Sequence, residues 1–159
     1  MAFYQFSRKF TLNASLEEVW SFIATPANLM KITPSSLSFE IMTPDLPSQM
    51  YEGLIIHYHV KPLAGIRTNW VSEITHIKTG RYFVDEQRIG PYKMWHHEHW
   101  LQPIKGGVEV LDIVSYQPPY GLIGRIANTW LIKQRLTEIF AYRQKAIINH
   151  FEEENKANR

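Results

Sequence analysis

The sequence predicts an α+β fold in which a curved, seven-stranded antiparallel sheet closes over a long C-terminal helix. Three observations predict it. Alternating apolar and polar residues recur in seven stretches separated by Gly, Pro or Asn turns, the pattern of an antiparallel meander. Beyond Arg125 the period lengthens, and Ile132, Leu136, Ile139, Phe140, Ile147 and Phe151 form a single helical stripe reaching roughly to Glu154. A sheet with one apolar face needs a cover, and a helix of this length can lie across it. Such a sheet curls around the helix and leaves a space between them.

The elements follow in order. Phe3 to Leu12 sets Tyr4, Phe6, Phe10 and Leu12 against Gln5, Ser7, Lys9 and Thr11, a half-buried strand. Ser15-Leu-Glu-Glu18 has the form of a capping box, and Leu16, Val19, Trp20 and Ile23 follow at helical spacing. Thr25-Pro26 starts a second short helix, with Pro at its favoured first position, running to about Ile32, where Thr33-Pro34 stops it. These two short helices close one end of the sheet. Phe39 to Thr43 is a short strand and Pro44 to Met50 a loop. Gly53 to Lys61 points Leu54, Ile56, Tyr58 and Val60 one way and His57 and His59 the other, so both histidines are expected in solvent, outside any chemistry. Pro62 to Gly65 turns, and Arg67 to Lys78 alternates Trp70, Ser72 and Ile74 against Asn69, Val71 and Glu73. Two hairpins follow, at Gly90-Pro91 and Gly106-Gly107. Gln117 to Gly124 is a linker, and Asn155 to Arg159 should fray.

At 159 residues the chain reads as one domain, 1–159, large enough for a real core. Aromatics make up 13% of it, which fits a core or a ligand cavity. A net charge of +2 with scattered basic residues argues against a nucleic-acid partner. Without cysteine there is no disulfide, thiolate chemistry or iron–sulfur cluster. The first residues carry no apolar signal region, and no run approaches the ~20 apolar residues of a spanning helix, so the expected location is cytoplasmic, without membrane insertion. The sequence leaves the oligomeric state open.

The residues that carry chemistry cluster between 82 and 116. Side chains two apart on a strand share a face, so Trp95, His97, His99 and Leu101 line one face, and Val110, Asp112, Val114 and Tyr116 one face of the next strand. Large aromatics mixed with a few ionisable groups suit the lining of a pocket for a mostly apolar molecule with one or two polar groups. A tight Gly-Gly reversal places His99 opposite Asp112 and His97 opposite Val114. The His99–Asp112 pair reads as a structural hydrogen bond, as a polar anchor for a ligand, or, if the chain is an enzyme, as a catalytic acid–base pair. Arg143 falls between Phe140 and Ile147 on the helical stripe; its guanidinium either receives a ligand's anionic group, snorkels out, or pairs with a carboxylate such as Asp85. Asp85 and Gln87 share a face with Phe83, and the Gly90-Pro91 register leaves open whether that face lines the cavity. Tyr58 and Trp70 are wall or core residues. His57-x-His59 and His97-x-His99 have two-apart spacing, but a third ligand is not evident, so neither a metal nor any other cofactor is expected.

This order of elements resembles the START-like superfamily, also called SRPBCC, with its helix-grip fold. The resemblance covers nearly the whole chain. It rests on Ser15-Leu-Glu-Glu-Val-Trp20, Phe83-Val-Asp-Glu-Gln87, Gly90-Pro91-Tyr92, Trp95-His-His-Glu-His99, Gly106-Gly107, Asp112 and Ile139-Phe-Ala-Tyr-Arg143. In detail it is similar to the bacterial ligand-binding members grouped with polyketide cyclase-like proteins. The resemblance implies a hydrophobic cavity between sheet and helix, and no universal catalytic motif.

The expected function is therefore binding of a small hydrophobic molecule, aromatic, polyketide-like or lipid-like, in a cavity above the ~300 Å³ floor of ligand pockets. The alternatives are a cyclase, dehydratase or isomerase using His99 and Asp112, and an interaction module with a vestigial cavity. Ligand contacts are expected from Tyr58, Trp70, Asp85, Gln87, Trp95, His97, His99, Tyr116, Phe140 and Arg143. Protein hydrogen bonds that occupy both His97 and His99 would favour binding over catalysis.

Overall fold

Strand β1 (Tyr4–Leu12) opens the chain, and the sheet it joins runs β1-β7-β6-β5-β4-β3-β2, antiparallel throughout. The computed structural model describes residues 3–61, 66–119 and 131–157. The remaining strands are β2 (Glu40–Ile41), β3 (Ile55–Val60), β4 (Thr68–Lys78), β5 (Tyr82–Ile89), β6 (Met94–Ile104) and β7 (Gly107–Gln117). Helix α1 (Leu16–Ile23) follows β1, and helix α2 (Lys133–Ala157) follows β7. The architecture is the expected α+β arrangement of a seven-stranded sheet on a long C-terminal helix. The turn expected at 62–65, most of the linker after Gln117 and the helix start at Arg125 lie outside the described residues.

Local chemistry accounts for the elements. The Ser15 hydroxyl accepts from the Glu18 amide at 3.2 Å, and the Ser15 amide donates to the Glu18 carboxylate at 2.8 Å, so the capping box forms. The segment Pro26–Met30 is a 3₁₀ helix, shorter than the expected run to Ile32, and a second 3₁₀ turn at Ser35–Leu37 was not anticipated. A 2.7 Å hydrogen bond from the Lys61 amide to the Leu37 carbonyl ties that turn to the end of β3. Between β6 and β7, Ile104 pairs with Gly107, so the reversal is made by Lys105 and Gly106 and Gly107 already belongs to the strand. Gly106 has φ +87°, which only glycine adopts without strain. A β-carbon on Gly107 would lie 1.9 Å from the Leu12 carbonyl oxygen, so glycine there lets β1 and β7 close up. Of the segment expected to fray, Asn155 to Ala157 continue α2, and the Asn155 side chain donates to the Asn13 carbonyl at 3.0 Å; Asn158 and Arg159 lie outside the described residues.

Helix α2 packs on the concave face of the sheet. Ile147 and Phe151 join Val19, Phe22, Ile74 and Phe83 in one apolar cluster under α1. Leu136 and Phe140 join Trp70, Val114 and Tyr116 in a second, nearer the start of α2. Each fully buried side chain of this size contributes ~1.5–3 kcal/mol. Arg8, in phase with Phe6 and Phe10 on β1, donates to Gln144 of α2 at 2.6 Å. Among the described residues no helix is long and apolar enough to cross a membrane.

Candidate functional site

The expected cavity lies between α2 and strands β3 to β6, with the two 3₁₀ segments along its rim. Helix α2 and the residue just before it contribute Ile132, Leu136, Ile139, Phe140 and Arg143. The sheet contributes Tyr58 from β3, Trp70 and Ser72 from β4, Phe83 and Asp85 from β5, and Trp95, His97 and His99 from β6. Its volume is about 160 Å³, below the expected ~300 Å³, because aromatic side chains occupy much of the space. Trp70 and Trp95 meet edge to face with ring centroids 5.2 Å apart, and Tyr58 stacks beside Trp70 at 6.2 Å. A cavity of about 150 Å³ in another protein holds one benzene ring, which sets the scale.

One wall is ionised. The sheet register sets Asp85 across from His97, and His99 between Phe83 and Asp112. The side chains then link diagonally as well. Asp85 Oδ1 lies 2.8 Å from His99 Nε2 and 3.3 Å from His97 Nδ1. On the far side, Asp112 Oδ1 lies 3.2 Å from His97 Nε2 and 3.0 Å from His99 Nδ1. Each imidazole is thus held between the same two carboxylates. Arg143 completes the group from the helix, with its Nη2 3.0 Å from His99 Nδ1 and its Nε 3.6 Å from Asp112 Oδ2. Phe83 stacks on His99 at 4.0 Å, and Phe140 meets His97 edge-on at 5.3 Å.

Burial makes these charges depend on one another. Burial alone would raise Asp112, but the Arg143 guanidinium and both imidazoles reverse this and hold its carboxyl well below the usual range. Asp85 is likewise raised by burial and brought lower overall by His97 and His99. His97 is pulled down by burial and lifted above its ordinary value by Asp85 and Asp112. His99 is pulled down by burial and by the neighbouring His97 charge. With the proton on His97, two carboxylates face one guanidinium and one imidazolium, and the buried group is neutral.

The sequence-derived residues divide accordingly. Tyr58, Trp70, Asp85, Trp95, His97, His99, Phe140 and Arg143 all line the cavity, and Asp112 lies behind the imidazoles at 1% exposure. Gln87 and Tyr116 lie outside the lining residues. Gln87 clasps the β5–β6 hairpin, donating to the Tyr92 carbonyl at 2.7 Å and accepting from the Tyr92 amide at 3.2 Å. Tyr116 packs behind Trp95 and Tyr92. Arg143 neither snorkels out nor pairs with Asp85; it turns to Asp112. His57 and His59 are half-buried rather than fully in solvent, yet they sit on the opposite face of β3, where His57 meets Asn69 at 3.1 Å. Ser72 was missed: its hydroxyl bonds with Tyr58 at 2.7 Å and accepts from the Trp70 indole at 3.1 Å. A hydroxyl in phase with Trp70 and Ile74 was the available signal. The rim residues Leu29, Ile32 and Leu37 gave none, because irregular segments carry no period.

No family model and no curated protein matches the sequence. Solved structures do. The ginseng major latex-like protein 151 from Panax ginseng superimposes with a TM-score of 0.69, over 94% of this chain and 97% of that one, at 10% identity. A START superfamily protein from Mycobacterium smegmatis gives 0.68 over 94% and 97%, at 10% identity. The fold is the START-like helix-grip fold. A protein from Thermus thermophilus shares it, with a TM-score of 0.67 over 93% and 97% of the two chains at 14% identity. At such identities the START-like likeness carries the architecture, and the site must supply the function.

Proposed function

We propose that this START-like chain binds a small, largely apolar molecule of about one aromatic ring, with its polar end against Asp85. The observation that supports the reading is the form of the cavity: about 160 Å³ of space walled mainly by aromatic and aliphatic side chains, with ionised groups on one wall. The size favours the aromatic end of the expected range and leaves no room for a lipid chain or a multi-ring polyketide in this conformation. Asp85, the anion on that wall, retains 17% side-chain exposure, whereas Asp112 is sealed behind it. The wall as a whole is neutral, but Asp85 is its most accessible charge, and a carboxylate oxygen accepts from a hydroxyl or other neutral donor and disfavours a ligand carboxylate beside it. The ligand class is thus a single-ring phenol or alcohol.

Against acid–base catalysis by His99 and Asp112 stand the four imidazole nitrogens, each within 3.3 Å of a protein partner. The interaction-module reading calls for a cavity too small for any ligand and an exposed apolar patch; about 160 Å³ is below the expected ~300 Å³ floor, yet it matches the space that holds one benzene ring in another protein. Native mass spectrometry of freshly purified protein, followed by NMR titration with phenol and benzoate, tests the proposal. The expected result is a co-purified or titrated single-ring hydroxyl compound, with phenol at least tenfold tighter than benzoate. Equal affinity for the two, or binding of neither, overturns it.

A further inference from the structure

Asp85, His97 and His99 all line the cavity, and each offers one donor atom that lies within 4.8 Å of the other two. We propose that these three side chains form a binding site for a divalent first-row transition ion, of the zinc or ferrous type, with open positions facing the cavity.

Three features of the geometry carry this. The first is the set itself: two imidazoles and one carboxylate match borderline ions such as zinc and iron, whereas calcium and magnesium prefer all-oxygen sites. Ligand atoms ~2.1 Å from a shared ion stand about 3.0–3.4 Å apart. Asp85 Oδ1 already stands 2.8 Å from His99 Nε2 and 3.3 Å from His97 Nδ1.

The second is the support behind the set. Ligating histidines typically donate their remaining ring N–H to a carboxylate, which fixes tautomer and orientation. Asp112 Oδ1 occupies that place for His97 and stands within reach of His99, whose Nδ1 accepts from Arg143 in the ion-free site. It meets His97 at Nε2 and His99 at Nδ1, the nitrogens that face away from Asp85. Arg143 in turn neutralises Asp112 from the helix.

The third is placement: the set lies on the cavity wall, where Asp85 keeps 17% side-chain exposure, so an ion can reach it and keep open positions. In the ion-free site His99 donates from Nε2 to Asp85 and accepts from Arg143 at Nδ1. Ion binding at Nε2 moves that proton to Nδ1, where it faces Asp112 Oδ1 at 3.0 Å. Binding of the ion does not depend on the phenol reading, although its open positions would take a ligand oxygen.

Cobalt(II) is the probe, titrated into chelator-treated protein without any organic ligand and followed by its visible d–d absorption. The expected result is one equivalent bound, displaced by zinc. Asp85→Asn and His97→Ala should weaken it at least a hundredfold, and Asp112→Asn, acting through the histidines, by about 10–100-fold. The double variant His57→Ala/His59→Ala, on the opposite face, should leave it unchanged. In wild-type protein, zinc should shift the imidazole NMR signals of His97 and His99 and spare those of His57 and His59, a readout that requires no variant to fold. Absence of a cobalt band, binding that survives Asp85→Asn in folded protein, or zinc shifts confined to His57 and His59 overturns the proposal. Phenol binding without cobalt binding would refute the ion site alone.

Discussion

Asp112 is the residue on which the ionised wall turns. It touches no cavity space, yet one of its oxygens meets both imidazoles and the other faces Arg143. Removing one partner of a buried charge pair leaves the other uncompensated, at a cost of ~3–5 kcal/mol. Asp112→Asn should therefore lower unfolding free energy by about that amount in urea titrations, while phenol affinity, set by Asp85, stays within a few-fold. Acid stability gives a signed test. Asp112 titrates lower in the folded than in the unfolded chain, so its contribution is full above about pH 4 and is lost as pH falls through the folded value. Arg143→Met removes the cation that depresses it, and acid unfolding followed by circular dichroism should then begin at higher pH than in wild type. The His99–Asp112 pairing was legible because strand period and a two-residue reversal fix which side chains share a row. The reach of Asp112 to His97 and of Arg143 to Asp112 was not, since diagonal and helix-to-sheet contacts depend on rotamers that no period encodes.

Elements differ in how much of them the chain announces. β4 and most of β7 alternate, and their extents follow from it, whereas β5 buries Phe83 and Val84 in succession and pairs with β4 through two register shifts, so its facing was not legible. The 3₁₀ turn at Ser35–Leu37 escapes such a reading, because three residues are too few to show a period. The helix continues from Asn155, where fraying was expected to begin, to Ala157, with the Asn155 side chain bonded to Asn13. At this scale the β6–β7 reversal gives the sharpest test. Gly107→Ala drives a β-carbon into the Leu12 carbonyl, while Gly106→Ala meets nothing within 4 Å and costs only ~1–2 kcal/mol of left-handed backbone. Thermal unfolding should rank Gly107→Ala well below Gly106→Ala. Ser15→Ala, which removes the α1 cap, should cost ~1 kcal/mol without altering ligand binding.

For the whole molecule, the place of the cavity was legible and its volume was not. An apolar helical stripe facing a meander implies a shared interior, but only the rotamers of Tyr58, Trp70 and Trp95 decide how much of it stays open. Leu136→Ala should enlarge it at a cost of ~2–5 kcal/mol and admit a two-ring phenol that wild type excludes, measured by NMR titration. The edge-to-face indoles of Trp70 and Trp95, at 89° and 5.2 Å, have a further consequence. Two identical chromophores that close, in a chiral setting, share their excitation. The empty protein should therefore show a paired positive and negative band in its ultraviolet circular dichroism, lost in Trp95→Phe. A guest that shifts either indole rewrites that signature, so the wall of the cavity is its own optical gauge of occupancy.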